Sequence, residues 1–270
     1  MQVNDHETAD PRDVEDLALL EEAARRAGDI ALTFFGGDPK TWFKGNKSPV
    51  SEADMEVDGY LAEVLRLARP EYGWLSEESA DTADRLGRDR VFIVDPIDGT
   101  RAFLAGGDEW TVSLSVVERG RPVVGVLFCP VREEMFLAAR GGGARLNGEP
   151  IRGTGTTGIS GASLSGPHSV VANQEVLASG FERTRNIRSL AYRLALVASG
   201  RVDVAVARAG PSDWDLAAAD LLVQEAGGKL TDFAGNALTY NRETTRHPAL
   251  IAAPVQLITA ARANISRIIG

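Results

Sequence analysis

At roughly 150 residues per domain, a chain of 270 residues holds one large fold or two closely joined halves. Hydrophobic residues make up 44% and charged residues 25%, close to soluble globular averages, which excludes wholesale disorder, collagen-like repeats and a membrane bundle. The net charge of −9, with no block of basic residues, disfavours long nucleic acid as a partner. It leaves room for a small anionic ligand, because metal ions reverse the sign of a carboxylate-lined pocket. The polar, acidic start from Met1 to Glu7 has no export signal, and no apolar run approaches the ~18 residues of a membrane span, so the cytoplasm is the expected compartment. Cys129 is the only cysteine, which rules out an internal disulfide and a cysteine-built zinc site.

In chain order, Asp10-Pro11 followed by Leu17, Leu20, Ala24, Ala27, Ala31 and Phe34 predicts a capped helix closed by Gly36-Gly37. A polar loop runs over 40–49. A second helix starts at Ser51, buries Met55, Leu61, Val64, Leu65 and Ala68, and stops before Pro70. The continuous apolar run Val91-Phe92-Ile93-Val94 reads as a central strand, and 111–118 and 122–128 as antiparallel strands around Arg119-Gly120. Gly141-Gly142-Gly143 and Asn147-Gly148 read as turns, since no phosphate-loop spacing is present. From about Gly161 strand and helix alternate: strand 169–172, helix 190–198, strand 202–207, helix 214–225, strand 249–252 and a closing helix 255–269. These expectations describe an α/β fold with an α+β N-terminal half over 1–160 and an α/β C-terminal half over 161–270.

The chemistry concentrates in carboxylates. Asp95 and Asp98 follow the central strand in Asp95-Pro96-Ile97-Asp98-Gly99-Thr100, at a strand end where α/β active sites form. A helix starting near Thr100 would add free N–H groups facing the same point. In isolation such a hexapeptide is equally a capped turn. Ser51-Glu52-Ala53-Asp54 has capping-box spacing, Glu77-Glu78 reads alone as a solvated loop, and Asp213 or Asp215 alone as a helix cap.

Taken together, these segments resemble the inositol monophosphatase superfamily of metal-dependent phosphatases. The two signatures are Trp74-Leu75-Ser76-Glu77-Glu78-Ser79 leading to Val94-Asp95-Pro96-Ile97-Asp98-Gly99-Thr100, and Trp214-Asp215 leading to Glu225-Ala226-Gly227-Gly228. The resemblance implies a layered αβαβα sandwich and phosphomonoester hydrolysis. It implies that Glu77, Asp95 and the Ile97 carbonyl hold one Mg²⁺, that Asp95, Asp98 and Asp215 hold a second, and that a third, weaker ion sits near Glu77. Hard oxygen ligands without a thiolate or histidine cluster independently suit Mg²⁺. Asp54 and Thr100, with Glu77, would activate the attacking water, and the amides of Gly99, Thr100 and Arg101 would hold the phosphoryl group beside Asp98. Li⁺ inhibition and a homodimer are further implications. Some members act as non-catalytic partners of RNA-synthesis machinery, which is the reading of another class.

Rival chemistries fit less well. A nucleophilic aspartate of the haloacid-dehalogenase type needs Asp-x-Asp, whereas two residues separate Asp95 from Asp98. A cysteine phosphatase needs Arg six residues after its cysteine, where this chain has Met135, so Cys129 reads as a small buried hydrophobe. His6, His168 and His247 are scattered and read as surface residues. For the substrate, Arg208-Ala209-Gly210-Pro211, Arg193 and Lys44 through Val50 are most similar to the 3'(2'),5'-bisphosphate nucleotidase branch. The expected substrate is therefore 3'-phosphoadenosine 5'-phosphate, with Lys44, Ser189, Arg193 and Arg208 as binding residues and Arg193 and Arg208 on the second phosphate. Inositol monophosphate and histidinol phosphate are the alternatives. Arg188 stands where relatives commonly carry Gly.

Overall fold

The computed structural model describes residues 10–44, 49–185 and 187–269. The chain runs through α1 (Pro11–Phe34), β1 (Thr41–Phe43), β2 (Pro49–Ser51), α2 (Glu52–Ala68), β3 (Gly73–Ser76), β4 (Arg90–Asp98) and α3 (Thr100–Leu104). The meander β5 (Thr111–Glu118), β6 (Arg121–Cys129), β7 (Glu134–Ala139), β8 (Gly143–Leu146) and β9 (Glu149–Ile151) follows. Next come β10 (Ser163–Ser165), α4 (His168–Val171), α5 (Gln174–Ala178), β11 (Glu182–Arg183), α6 (Leu190–Ala198) and β12 (Val204–Ala207). The last elements are α7 (Asp213–Glu225), β13 (Gly228–Asp232), β14 (Leu250–Pro254) and α8 (Ile258–Ile269).

Two sheets organise these elements. One has the order β3-β4-β5-β6-β7-β8-β9 and the other β11-β10-β12-β14-β13. Three apolar layers cover their faces, and one of them lies between the two sheets. Phe92 and Val94 of β4 face α1 and α2, while Val91 and Ile93 face α6 and α7. Ala205 and Ala207 of β12 meet that same central layer from the second sheet, and Val204 and Val206 turn outward to α8. This period-two division between two covered faces explains why the strands read as continuous apolar runs rather than alternating ones. The result is the expected αβαβα sandwich. No described helix is long and apolar enough to cross a membrane.

Several local expectations need correction. The segment 169–172 belongs to the short helix α4, and the true strand is β10; Val170 and Val171 are buried by a helical turn, which an apolar pair cannot distinguish from a strand. Strand β13 was not foreseen, because Gly228 and Lys229 weaken its pattern. Part of the polar loop 40–49 forms the antiparallel pair β1–β2, while residues 45–48 lie outside the described chain. Met55 is exposed; α2 buries Leu61 and Leu65 as expected, and also Ala53, Asp54, Val57 and Asp58. His6 also lies outside the described residues. Cys129 is buried as expected, and burial pushes its thiol up to about 12.

Helix α7 lies directly on β6. A Cβ on Gly125 would stand 2.6 Å from the Ala218 carbonyl oxygen, so the small residues Ala217-Ala218-Ala219 and a strand glycine together set the distance between helix and sheet. Gly125→Ala must push α7 outward and should cost about 1–3 kcal/mol, as overpacking does; a thermal melt within error of wild type would contradict this packing.

Candidate active site

Adjacent strands bring the first acids together. The parallel register pairs Ser76 with Val94, and the Glu77 amide donates to the Val94 carbonyl at 3.2 Å, so Glu77 leaves β3 beside Asp95 of β4. Asp95 and Asp98 are three apart, a spacing that in a regular strand points side chains to opposite faces. Their partners on β5, Ser113 and Thr111, are only two apart, because the register shifts between them. The extra residue is a bulge that returns Asp98 to the face of Asp95. Both then point toward the layer that holds α6 and α7.

Helix starts supply the remaining groups. Ser51 donates its N–H (2.8 Å) and its hydroxyl (2.5 Å) to one oxygen of Asp54, and the other oxygen accepts from the Thr100 hydroxyl at 3.1 Å. That hydroxyl also lies 3.1 Å from the Ile97 carbonyl. The start of α7 repeats the arrangement: the Ser212 N–H donates to Asp215 at 2.6 Å in a second capping box. In α7 the capping carboxylate also lines the central cavity, whereas Asp54 of α2 does not line it and meets it only through the Thr100 hydroxyl. At the start of α6, Ser189 and the Ala191 N–H (2.8 Å) donate to Asp98, tying the first sheet to the second half of the chain. Gly99, at φ +95°, caps α3; a Cβ there would meet Ser189 Cβ at 3.1 Å, so both conformation and space call for glycine.

The product is an open cavity of about 920 Å³ lined by Glu77, Asp95, Ile97, Asp98, Gly99, Thr100 and Asp215, with Arg101, Arg188 and Arg193 in its wall and Phe43 and Pro49 at its edge. One carboxylate oxygen from each of Glu77, Asp95 and Asp215 lies within 4.8 Å of the other two. That all-oxygen set is suited to a hard divalent cation.

The expected substrate-binding residues are placed differently. Arg193 reaches the wall, but its two terminal nitrogens donate to the Val206 (2.9 Å) and Ile187 (2.7 Å) carbonyls, so it braces α6 rather than offering an open fork to a phosphate. Ser189 is fully buried and its hydroxyl serves Asp98 and the Tyr192 N–H, so it supports a site acid instead of facing the cavity. Lys44 lies against Glu78 (2.7 Å) and Glu77 (3.5 Å) and does not line the cavity. Arg208 is exposed, outside the lining, and donates to Ser169 at 2.8 Å, two residues from the cavity-lining Pro167. His247 is buried, not on the surface, and its Nε2 lies 2.7 Å from Asp213.

Crowding sets the electrostatics. Burial raises Asp95 and Asp215 well above the usual carboxylate range, and Glu77 and Asp98 push both further in the same direction. Burial lifts Asp98 to about 6 against the pull of its hydrogen bonds to Ser189 and Ala191, and lifts Glu78 to about 7 despite Lys44. Asp54 is raised by burial as well. A carboxyl group whose folded pKa exceeds its unfolded one destabilises the fold as pH rises between the two values. In metal-free buffer the melting temperature should therefore fall from about pH 4 through about pH 7, the window spanned by the ordinary carboxylate value and the raised groups. A melting temperature that rises across this window would contradict a crowded acid cluster.

Comparisons with known proteins agree with this fold. The model of the inositol monophosphatase family matches residues 13–267. The chain is 36% identical over 229 residues to the Nus factor SuhB of Xylella fastidiosa, covering 80% of this chain and 82% of that protein. The solved structure of the extragenic suppressor protein suhB from Bartonella henselae superposes with a TM-score of 0.84 at 29% identity, over 94% of this chain and 99% of that one. The Thermotoga maritima IMPase superposes with a TM-score of 0.83 at 28% identity, over 94% and 98%. The chain belongs to the inositol monophosphatase family.

Proposed function

We propose that the protein is a Mg²⁺-dependent phosphomonoester hydrolase. The observation that carries this reading is the convergence of Glu77, Asp95 and Asp215 within 4.8 Å on the floor of one cavity. Glu77, Asp95 and the Ile97 carbonyl would hold one ion and Asp95, Asp98 and Asp215 a second, with a weaker third site near Glu77. Bound there, the ions supply a lowered pKa for water and neutralise charge on the transferring phosphoryl group. Asp54, with one oxygen fixed by Ser51 and the other on the Thr100 hydroxyl, accepts the water proton through Thr100. Burial raises Asp54 and makes it the better proton acceptor. The amides of Gly99 and Thr100, at the start of α3, would orient the phosphoryl oxygens.

The cavity carries both signs: carboxylates on its floor and Arg101, Arg188 and Arg193 in its wall, with Arg208 beyond Pro167. That distribution supports a substrate with a second anionic group, here 3'-phosphoadenosine 5'-phosphate giving AMP and phosphate, with Arg188 and Arg208 rather than Arg193 toward the second phosphate. Two other readings have a specific support. The Thermotoga IMPase at 28% identity favours inositol monophosphate, with histidinol phosphate in the same class. The Nus factor SuhB at 36% identity favours a non-catalytic role beside RNA-synthesis machinery.

A panel of kcat/KM values on the adenosine bisphosphate, inositol 1-phosphate and histidinol phosphate, with Mg²⁺ and with EDTA, separates these readings. EDTA-sensitive phosphate release, greatest on the bisphosphate, is expected; a chain inert on every ester would favour the partner role. Asp95→Asn and Asp215→Asn should each cut release by about 10²–10³-fold or more while the fold persists. Arg208→Glu should lower kcat/KM for the bisphosphate by about ten- to a hundredfold and leave a simple monophosphate nearly unchanged; equal losses on both would remove Arg208 from the second phosphate.

A further inference from the structure

The floor of the cavity is assembled from two distant stretches of chain. Glu77 follows β3, and Asp215 lies in the first turn of α7. A polar strut behind the site ties these stretches together. Arg85 is buried and donates through Nε (2.6 Å) and Nη2 (2.8 Å) to the Asp81 carboxylate, in the segment that leaves Glu77. Its remaining nitrogen, Nη1, donates to Asn241 Oδ1 at 2.7 Å across 156 residues of sequence, and to the Arg242 carbonyl at 3.0 Å. Asn241 returns a bond from Nδ2 to the Arg85 carbonyl at 3.2 Å, and its backbone N–H donates to Asp213 Oδ2 at 2.7 Å. The other oxygen of Asp213 meets His247. Tyr240 adds a second hold on α7 through its hydroxyl on Asp220 at 2.8 Å. The 240–247 segment thus grips α7 at Asp213 and Asp220 and locks it to the stretch that follows Glu77.

We propose that the Arg85–Asn241–Asp213 strut is a positioning device that sets the spacing of Glu77 and Asp215 and so makes the cation site discriminate small divalent ions from large ones. The inference rests on reading the acid cluster as a metal centre. Mg²⁺ requires near-octahedral oxygen ligands at about 2.0–2.1 Å, whereas Ca²⁺ accepts irregular shells at about 2.3–2.6 Å. Two walls free to separate slightly therefore lose Mg²⁺ far more than Ca²⁺. A strut that only stabilised the fold would weaken both ions alike.

Asn241 sits at φ +54°, in the left-handed region. Asn241→Gly deletes its side chain, keeps the N–H that binds Asp213 and suits that backbone. Arg85→Lys keeps a charge near Asp81 and removes the fork. Titration calorimetry of the full chain with Mg²⁺ alone and with Ca²⁺ alone reads the effect without any turnover. Asn241→Gly should weaken Mg²⁺ about tenfold, the scale of one hydrogen bond to a charged group, and Ca²⁺ by no more than about twofold. Arg85→Lys should move the ratio in the same direction, and the double variant should lose little more than either alone, since both sit in one strut. Equal weakening of both ions, or unchanged affinity for both in both folded variants, overturns the proposal. Failure of the wild-type chain to bind either ion would instead sink the metal reading on which it rests.

Discussion

Five acids gathered at one place, with Asp54, Asp95 and Asp98 buried and Glu77 and Asp215 half-buried, form the constraint on which the rest of the structure depends. Asp54, Asp95, Asp98 and Asp215 are all raised by burial, and the Asp95, Asp98 and Asp215 carboxyls repel one another or Glu77 as well. Such an arrangement costs stability unless protons or cations neutralise it. The fold meets part of that cost with backbone dipoles. Helices α2, α6 and α7 all begin at this cluster: the N-cap N–H groups of Ser51 and Ser212 donate to Asp54 and Asp215, the first-turn N–H of Ala191 donates to Asp98, and the positive end of a helix favours negative charge. What those amides leave uncompensated is what a divalent ion would supply.

The same arrangement explains why the two sheets cannot work separately. Asp95 and Asp98 come from the first sheet, Asp215 from a helix packed between the sheets, and the Ser189 and Ala191 groups that hold Asp98 from the start of α6. The central apolar layer unites residues from Leu75 to Ala252, so the halves share one core. Interior packing thus fixes how closely α7 approaches the first sheet, where a Cβ on Gly125 would collide with the Ala218 carbonyl.

Much of the site was legible in the sequence because its residues sit at punctuation marks. An apolar strand ending in Asp-Pro-x-Asp-Gly-Thr and the Ser51-x-x-Asp54 helix start are local signals that carry their carboxylates at fixed offsets; at α7 the same spacing runs from Ser212 to Asp215, so the cap is Ser212 and not Asp213 or Asp215 alone. Capping and a place beside the cavity do not compete here: Asp215 caps α7 and lines the cavity, and Asp54 caps α2 with one oxygen while the other accepts from Thr100. Groups whose partners lie far along the chain were not legible. Ser189 serves Asp98 from 91 residues away, and His247 pairs with Asp213 from 34 away. Arg193 reads as a phosphate ligand because a guanidinium suits phosphate, yet the backbone carbonyls of Val206 in β12 and of Ile187 in the loop before α6 claim its nitrogens. Strand β13 escaped notice because Gly228 and Lys229 hide a pairing that β14 enforces from outside the segment.

The most direct measurement is anomalous diffraction from a crystal of the protein grown with Mn²⁺, a divalent ion that takes the same oxygen ligands as Mg²⁺ and can be located by its own scattering. Strong anomalous peaks are expected between Glu77, Asp95 and Asp215, with the second ion reaching Asp98. Peaks confined to other parts of the surface, with these side chains free of metal at saturating Mn²⁺, would contradict it.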